Sequence, residues 1–240
     1  MRITLRDIHK HYGQVHANDG IRMEVAQGSI HGILGENGAG KSTLMKILAG
    51  YVRKTSGNIL LDGRAVDYRG PSQAAALGIG MLYQDPLDFP LLSVLENFMM
   101  GRLHGVSKKE ADNRRQLEDL TIYFGFQLNA RTQVRDLTVG ERQQLEIVRL
   151  LALGVEVLIL DEPTTGISSL QRQILFEALK KLAAQQKTIL LVSHKLEDVE
   201  ALCDQVTVLR EGKVAGDSHV FDPSPPVSSR LRRTRAKRDR

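Results

Sequence analysis

The chain has 240 residues, 42% of them hydrophobic, and a formal net charge of +5, enough for one large domain or a core with an inserted subdomain. No run approaches the roughly 18 consecutive apolar residues of a membrane span, and Met1 to Asp7 lacks the apolar stretch of a secretory signal. The expected location is therefore the cytosol. Cys203 is the single cysteine, which excludes an internal disulfide and a cysteine-based zinc cluster.

In chain order, Ile3 to Ile8 and Ile21 to Val25 alternate apolar with polar residues and predict half-exposed strands of an antiparallel sheet. Ile30 to Leu34 is a continuous apolar run, a buried strand. It leads directly into Gly35-Glu36-Asn37-Gly38-Ala39-Gly40-Lys41-Ser42, a full match to G-x-x-x-x-G-K-[ST]. The glycines let successive backbone N–H groups turn inward on a phosphate chain, and a helix over Lys41 to Ala49 adds the positive end of its dipole. Lys41 supplies a point charge; the Ser42 hydroxyl supplies a ligand for Mg²⁺.

Ile59 to Gly63 predicts a further edge strand, and Gly78 to Tyr83 is an apolar run that ends at Gln84. From about 91 to 152 the pattern is mostly helical, including Glu141 to Ala152 with Leu145, Val148 and Ala152 on one face. Val155 to Leu160 and Thr188 to Val192 are nearly continuous β-branched and leucine runs that read as central parallel strands. The first ends in Asp161-Glu162, two carboxylates at the C-terminal end of a buried strand, where open α/β sheets bind ligands. Alone, that pair reads equally as an ordinary acidic turn; together with Gly35 to Ser42 it reads as a Mg²⁺ ligand, Asp161, followed by a general base, Glu162. Helical patterns over Ser169 to Ala184 and Leu196 to Leu202 complete the alternation. The fold expected is α/β: a P-loop core with a mostly parallel sheet and helices on both faces, an N-terminal antiparallel β subdomain and an inserted helical subdomain.

The positive charge is local. Ser228 to Arg240 holds six Arg, one Lys and one Asp, so the rest of the chain is close to neutral. This basic stretch follows a Pro- and Ser-rich linker. Residues 1–222 therefore read as the folded domain and 223–240 as a disordered tail, with contact to anionic lipid or RNA as the rival reading of the tail.

Leu137-Thr138-Val139-Gly140-Glu141 opens the Glu141 to Ala152 helix, and with it the ordered set Gly35 to Ser42, Gln84, Leu137 to Glu141, Asp161-Glu162 and His194 resembles the ATP-binding subunits of ABC transporters. The resemblance covers roughly residues 3 to 216. It implies ATP and Mg²⁺ as ligands, with Gly35 to Ser42 and the adjoining Thr43 around the phosphates and Tyr12 stacked on adenine. It also implies Gln84 on Mg²⁺ or the attacking water, and His194 on the γ-phosphate and Glu162. Thr138, Gly140 and Glu141 are implied to face the nucleotide of a second ATP-binding domain, a homodimer copy or the other half of a tandem protein. Transmembrane permease subunits would be the direct partners, with this chain peripheral on the inner face of the membrane, and a solute-binding protein an indirect one, with no specific nucleic acid.

Three positions depart from the usual pattern: Val139 stands in place of glycine, Glu141 in place of glutamine and Ser168 in place of aspartate. Val139-Gly140, Ser168 and Val192-Ser193-His194-Lys195-Leu196 resemble the first half of the tandem ATPases of simple-sugar and nucleoside importers. An ATP-hydrolysing importer subunit is the leading expectation. The alternatives are a soluble ATPase of the same family acting in translation or DNA repair, and a nucleotide-dependent regulator of weak turnover.

Overall fold

The computed structural model describes residues 1–83, 87–100 and 109–219. Gln84, part of the helical insert and the basic tail 223–240 lie outside the described residues. The chain opens with the long hairpin of β1 (Ile3–Tyr12) and β2 (Val15–Val25), then β3 (Ile30–Leu34) and α1 (Lys41–Leu48). Next come β4 (Ser56–Leu61), β5 (Arg64–Val66), α2 (Pro71–Ala76) and β6 (Ile79–Leu82). The mostly helical stretch follows as α3 (Val94–Met99), α4 (Glu110–Phe124) and α5 (Val139–Ala152). The remainder is β7 (Val157–Asp161), α6 (Ser169–Ala184), β8 (Thr188–Val192), α7 (Leu196–Leu202), β9 (Gln205–Arg210) and β10 (Lys213–His219).

Two sheets form. The first, in the order β2-β1-β4-β5, is antiparallel throughout. The second, in the order β10-β9-β3-β8-β7-β6, is parallel except for the edge strand β10. Strand alternation splits its side chains between two cores. Leu158 and Leu160 of β7 and Ile189 and Leu191 of β8 face α5, α6 and α7. Val157 and Ile159, with Leu190 and Val192, face α1 and the antiparallel sheet. Both faces are apolar, which is why these strands read as unbroken hydrophobic runs. Helices do lie on both faces of the parallel sheet, but on the second face α1 and α2 share the cover with the antiparallel sheet.

Register brings the active elements to one edge. Ile33 of β3 and Asp161 of β7 both pair with Val192 of β8, so the P-loop, Asp161-Glu162 and the Ser193-His194 turn all leave the sheet side by side at its C-terminal ends. Leu82 of β6 pairs with Leu160, so that strand ends at the same edge.

Candidate active site

The helix behind the P-loop is left open at its N-terminus. Gly40, its N-cap residue, is in the left-handed region at φ +97, there is no side-chain cap, and the first turn holds no acidic residue. The N–H groups of that turn have no intrahelical acceptor. Gly40 is required here by space as well as by φ: a Cβ would come within 2.2 Å of the Ala17 carbonyl oxygen. Its own carbonyl accepts a 3.1 Å hydrogen bond from Asn18 Nδ2, a side chain with no exposed surface. Lys41 is 7% exposed, and its Nζ donates to the carbonyls of Gly35 and Glu36 at 2.7 and 3.0 Å. The ammonium thus stands over a loop whose tip, from Glu36 to Gly38, is exposed. Ala39 is buried, Ser42 is exposed and Thr43 half-buried.

The Ser42 hydroxyl stands close enough to the Asp161 side chain of β7 to influence its ionisation. Burial is the main influence on Asp161 and pushes its pKa up; the Ser42 hydroxyl opposes that, neighbouring Glu162 reinforces it, and Lys46 and Lys41 oppose it more weakly. A buried carboxylate short of positive charge, next to a hydroxyl and a second carboxylate, fits a hard divalent cation with oxygen ligands. The donor set therefore fits Mg²⁺.

Glu162 has φ +54, a left-handed conformation that costs a non-glycine residue about 1–3 kcal/mol and clusters at functional sites. Its amide donates to Val192 O at 3.0 Å, which holds the turn against β8. The Glu162 side chain is mostly buried, and its Oε2 lies 2.6 Å from His194 Nδ1. That oxygen has no aligned hydrogen-bond donor among the described residues, so the contact is one of proximity. The His194 side chain is 55% exposed and stands on the solvent side of the pair.

Thr138 is the N-cap of α5, and the helix end is closed by its own chain. Glu141 N donates to Thr138 Oγ1, while Thr138 N and Oγ1 both donate to Glu141 Oε2 at 2.7 Å. A carboxylate therefore already occupies this N-terminus, in contrast to the open one of α1. Gln171 of α6 adds a clasp: its Nε2 donates to Thr138 Oγ1 at 2.9 Å, and its Oε1 accepts from Ser168 N at 3.1 Å. Gly140 makes room for that amide, since a Cβ there would lie 2.7 Å from the Gln171 side chain. Ser168 is the N-cap of α6, so a hydroxyl does at this position what the more usual aspartate would do.

Tyr12 ends β1 at 50% exposure, with Lys10 Nζ 4.6 Å above its ring. Ala17 and Asn18 join the same hairpin to Gly40. Of the residues singled out from sequence, Lys41, Ser42, Asp161, Glu162 and His194 converge at the sheet edge; Thr138, Gly140 and Glu141 form a separate group around Gln171; Tyr12 stands on the hairpin. Three contributors were missed: Asn18, Gln171 and Asp198. Buried Asp198 accepts from Thr164 Oγ1 at 2.5 Å and Arg172 Nε at 2.7 Å, tying the turn after Glu162 to α6 and α7. Only Gln171 had a signal, the Ser168-x-x-Gln171 capping spacing.

Residues 18–165 match the ABC transporter family, and the chain belongs to it. It is 40% identical over 216 residues to the ribose import ATP-binding protein RbsA 2 of Escherichia coli O157:H7, covering 89% of this chain and 43% of that protein. It is 36% identical to the nucleoside import ATP-binding protein NupA of Lactococcus lactis subsp. cremoris, covering 88% of this chain and 42% of that one. The chain thus spans less than half the length of these relatives. In fold it is similar to cbiO1 of Clostridium perfringens, part of the cbiONQ ABC transporter complex, with TM-score 0.81 at 27% identity over 98% of this chain and 94% of the other. A nucleotide-free ATP-binding cassette from an ABC transporter superposes with TM-score 0.82 at 22% identity, over 93% and 96% of the two chains.

Proposed function

We propose that this chain is the ATP-binding and ATP-hydrolysing part of an importer of sugars or nucleosides, with residues 1–222 acting as one ATP-binding domain. The observation that carries the reading is the convergence of an uncapped helix N-terminus, Lys41, Ser42, Asp161, Glu162 and His194 at the C-terminal edge of one parallel sheet. The names of the ribose and nucleoside relatives support the cargo class. Among the described residues no helix is long and apolar enough to cross a membrane, so movement of a solute requires permease subunits, with the chain peripheral on the inner face and a solute-binding protein acting indirectly.

In this reading the phosphates lie in the Gly35 to Ser42 loop on the first-turn N–H groups of α1, with the Lys41 ammonium beside them, Thr43 at the same helix end and adenine on Tyr12. Ser42 and Asp161, joined by Gln84, hold Mg²⁺, which when bound neutralises charge on the transferred phosphoryl group. Glu162 takes the proton of the attacking water at its carboxylate, and His194 fixes that carboxylate from the solvent side. The α5 N-terminus, with Thr138 and Gly140, meets the nucleotide of a second ATP-binding domain, either a second copy or the other half of a tandem protein. ATP closes the pair and hydrolysis reopens it, which moves the permease. The Glu141 carboxylate makes that closure electrostatically harder than glutamine would.

Lys41→Ala removes the only side-chain cation among the described residues that bonds to the loop's carbonyls and is expected to weaken ATP binding at least about tenfold. Titration with a fluorescent ATP analogue measures this. An unchanged affinity would rule out the loop as the phosphate site.

A further inference from the structure

Away from this edge, the β1–β2 hairpin gathers imidazoles and a carboxylate. His9, His11 and Asp19 each offer one ligand atom, and those atoms all lie within 4.8 Å of one another. His16 pairs directly opposite His11 across the strands, with the two rings stacked 4.0 Å apart. Gly20 N donates to His9 Nδ1 at 3.2 Å, a long bond to the one lone pair that a metal ion would take over. Asp19 Oδ1 stands 3.1 Å from the same nitrogen. A proton on Nδ1 holds the two atoms at that distance as an ion pair, and a metal ion in place of the proton would be held by the same two atoms. Two ligands bound at about 2.1 Å to a tetrahedral ion stand about 3.4 Å apart, close to the separation observed. His11 Nε2 is buried without a hydrogen-bond partner among the described residues, a polar atom left for a ligand to satisfy.

The scaffold is rigid. Both strands are paired, and Asp19 N donates to Gly212 O at 2.7 Å, so the ligands sit on fixed backbone. Lys213 Nζ lies 3.1 Å from Asp19 Oδ2, which keeps the carboxylate ionised and leaves Oδ1 for another cation. Imidazole nitrogen with one carboxylate oxygen selects Zn²⁺, Ni²⁺ or Cu²⁺ over the Mg²⁺ of the nucleotide site. We propose that His9, His11 and Asp19 bind a first-row divalent transition-metal ion such as Zn²⁺. Bound there, the ion fastens β1 to β2 next to Tyr12.

The test is Zn²⁺ titration calorimetry on the EDTA-treated full chain, alongside the visible absorption of its Co²⁺ form. The expected result is one ion per chain, a Co²⁺ spectrum of tetrahedral type, and affinity at least about tenfold weaker in His11→Ala and in Asp19→Asn. Asp67→Asn, a surface carboxylate that pairs with Lys54 at 2.9 Å and is not one of the three, is expected to bind as the parent does. Circular dichroism melting of each variant without metal separates lost ligands from lost folding. Parental Zn²⁺ affinity in a folded His9→Ala, His11→Ala, Asp19→Asn triple variant would overturn the assignment, as would the absence of stoichiometric binding by the parent chain.

Discussion

Burial raises the pKa of Asp161 above its ordinary value of 3.8. A carboxyl with a higher pKa in the folded chain than in the unfolded chain favours folding while protonated. That contribution is lost as pH rises from the unfolded value through the raised folded one. At neutral pH the ligand-free protein therefore carries Asp161 at a cost, which a bound cation offsets. Asp161→Asn is expected to raise the melting temperature of the ligand-free chain by about 2–4 °C at pH 8, with the gain shrinking toward pH 4, and to abolish the Mg²⁺ dependence of ATP binding. Thermal scans at the two pH values check the sign; a lower melting temperature at pH 8 would show that the carboxylate stabilises the apo site. Cys203 is at the other extreme: burial pushes its thiol up to about 12, so it behaves as a packing residue.

At the scale of elements, β3, α6, β8 and α7 keep the limits expected from sequence, because each is a compact apolar or periodic segment with a clear stop. The hairpin strands β1 and β2 extend well past their alternating parts. Register shifts after Leu5 and Ile8 and before His11 break the period of two, so His9 to Tyr12 shows no alternation although it is strand. No strand was expected after Val192. β9 and β10 close the parallel sheet, and only the pairing of Gly32 with Val206 and its neighbours reveals that role. The site divides in the same way. Lys41, Ser42, Asp161 and Glu162 follow from motif spacing and His194 from the family resemblance, whereas Asn18, Gln171 and Asp198 act on partners 22, 33 and 34 residues away, and of these contacts only the local Ser168-Gln171 cap shows in the sequence. The Gln171 clasp between α5 and α6 gives an element-scale expectation. Gln171→Ala removes both a cap bond and the bridge to Thr138, and is expected to cost about 1–2 kcal/mol. Gly140→Ala, harmful alone because of the Gln171 amide, is expected to cost less in the Gln171→Ala background. A double-mutant cycle by urea denaturation measures that coupling, and strict additivity would mean the two do not touch in solution.

Across the whole molecule, the two cores on opposite faces of the parallel sheet hold one edge fixed, where the open end of α1 and the Asp161-Glu162 turn meet. The α5 N-terminus, closed by Glu141 and Gln171, forms a second group of residues. In the proposed reading the first group serves as phosphate cradle and hydrolytic pair and the second as the partner-facing segment, a division of labour that a closing pair of ATP-binding domains requires. Glu162 stands at the centre of that account. The most direct measurement is ATP binding, turnover and light-scattering mass for Glu162→Gln beside the parent, with Mg²⁺. The predicted result is ATP affinity within about threefold of the parent, turnover lower by at least about 100-fold, and a mass that doubles when ATP is added. Hydrolysis by Glu162→Gln at the parental rate would contradict the account.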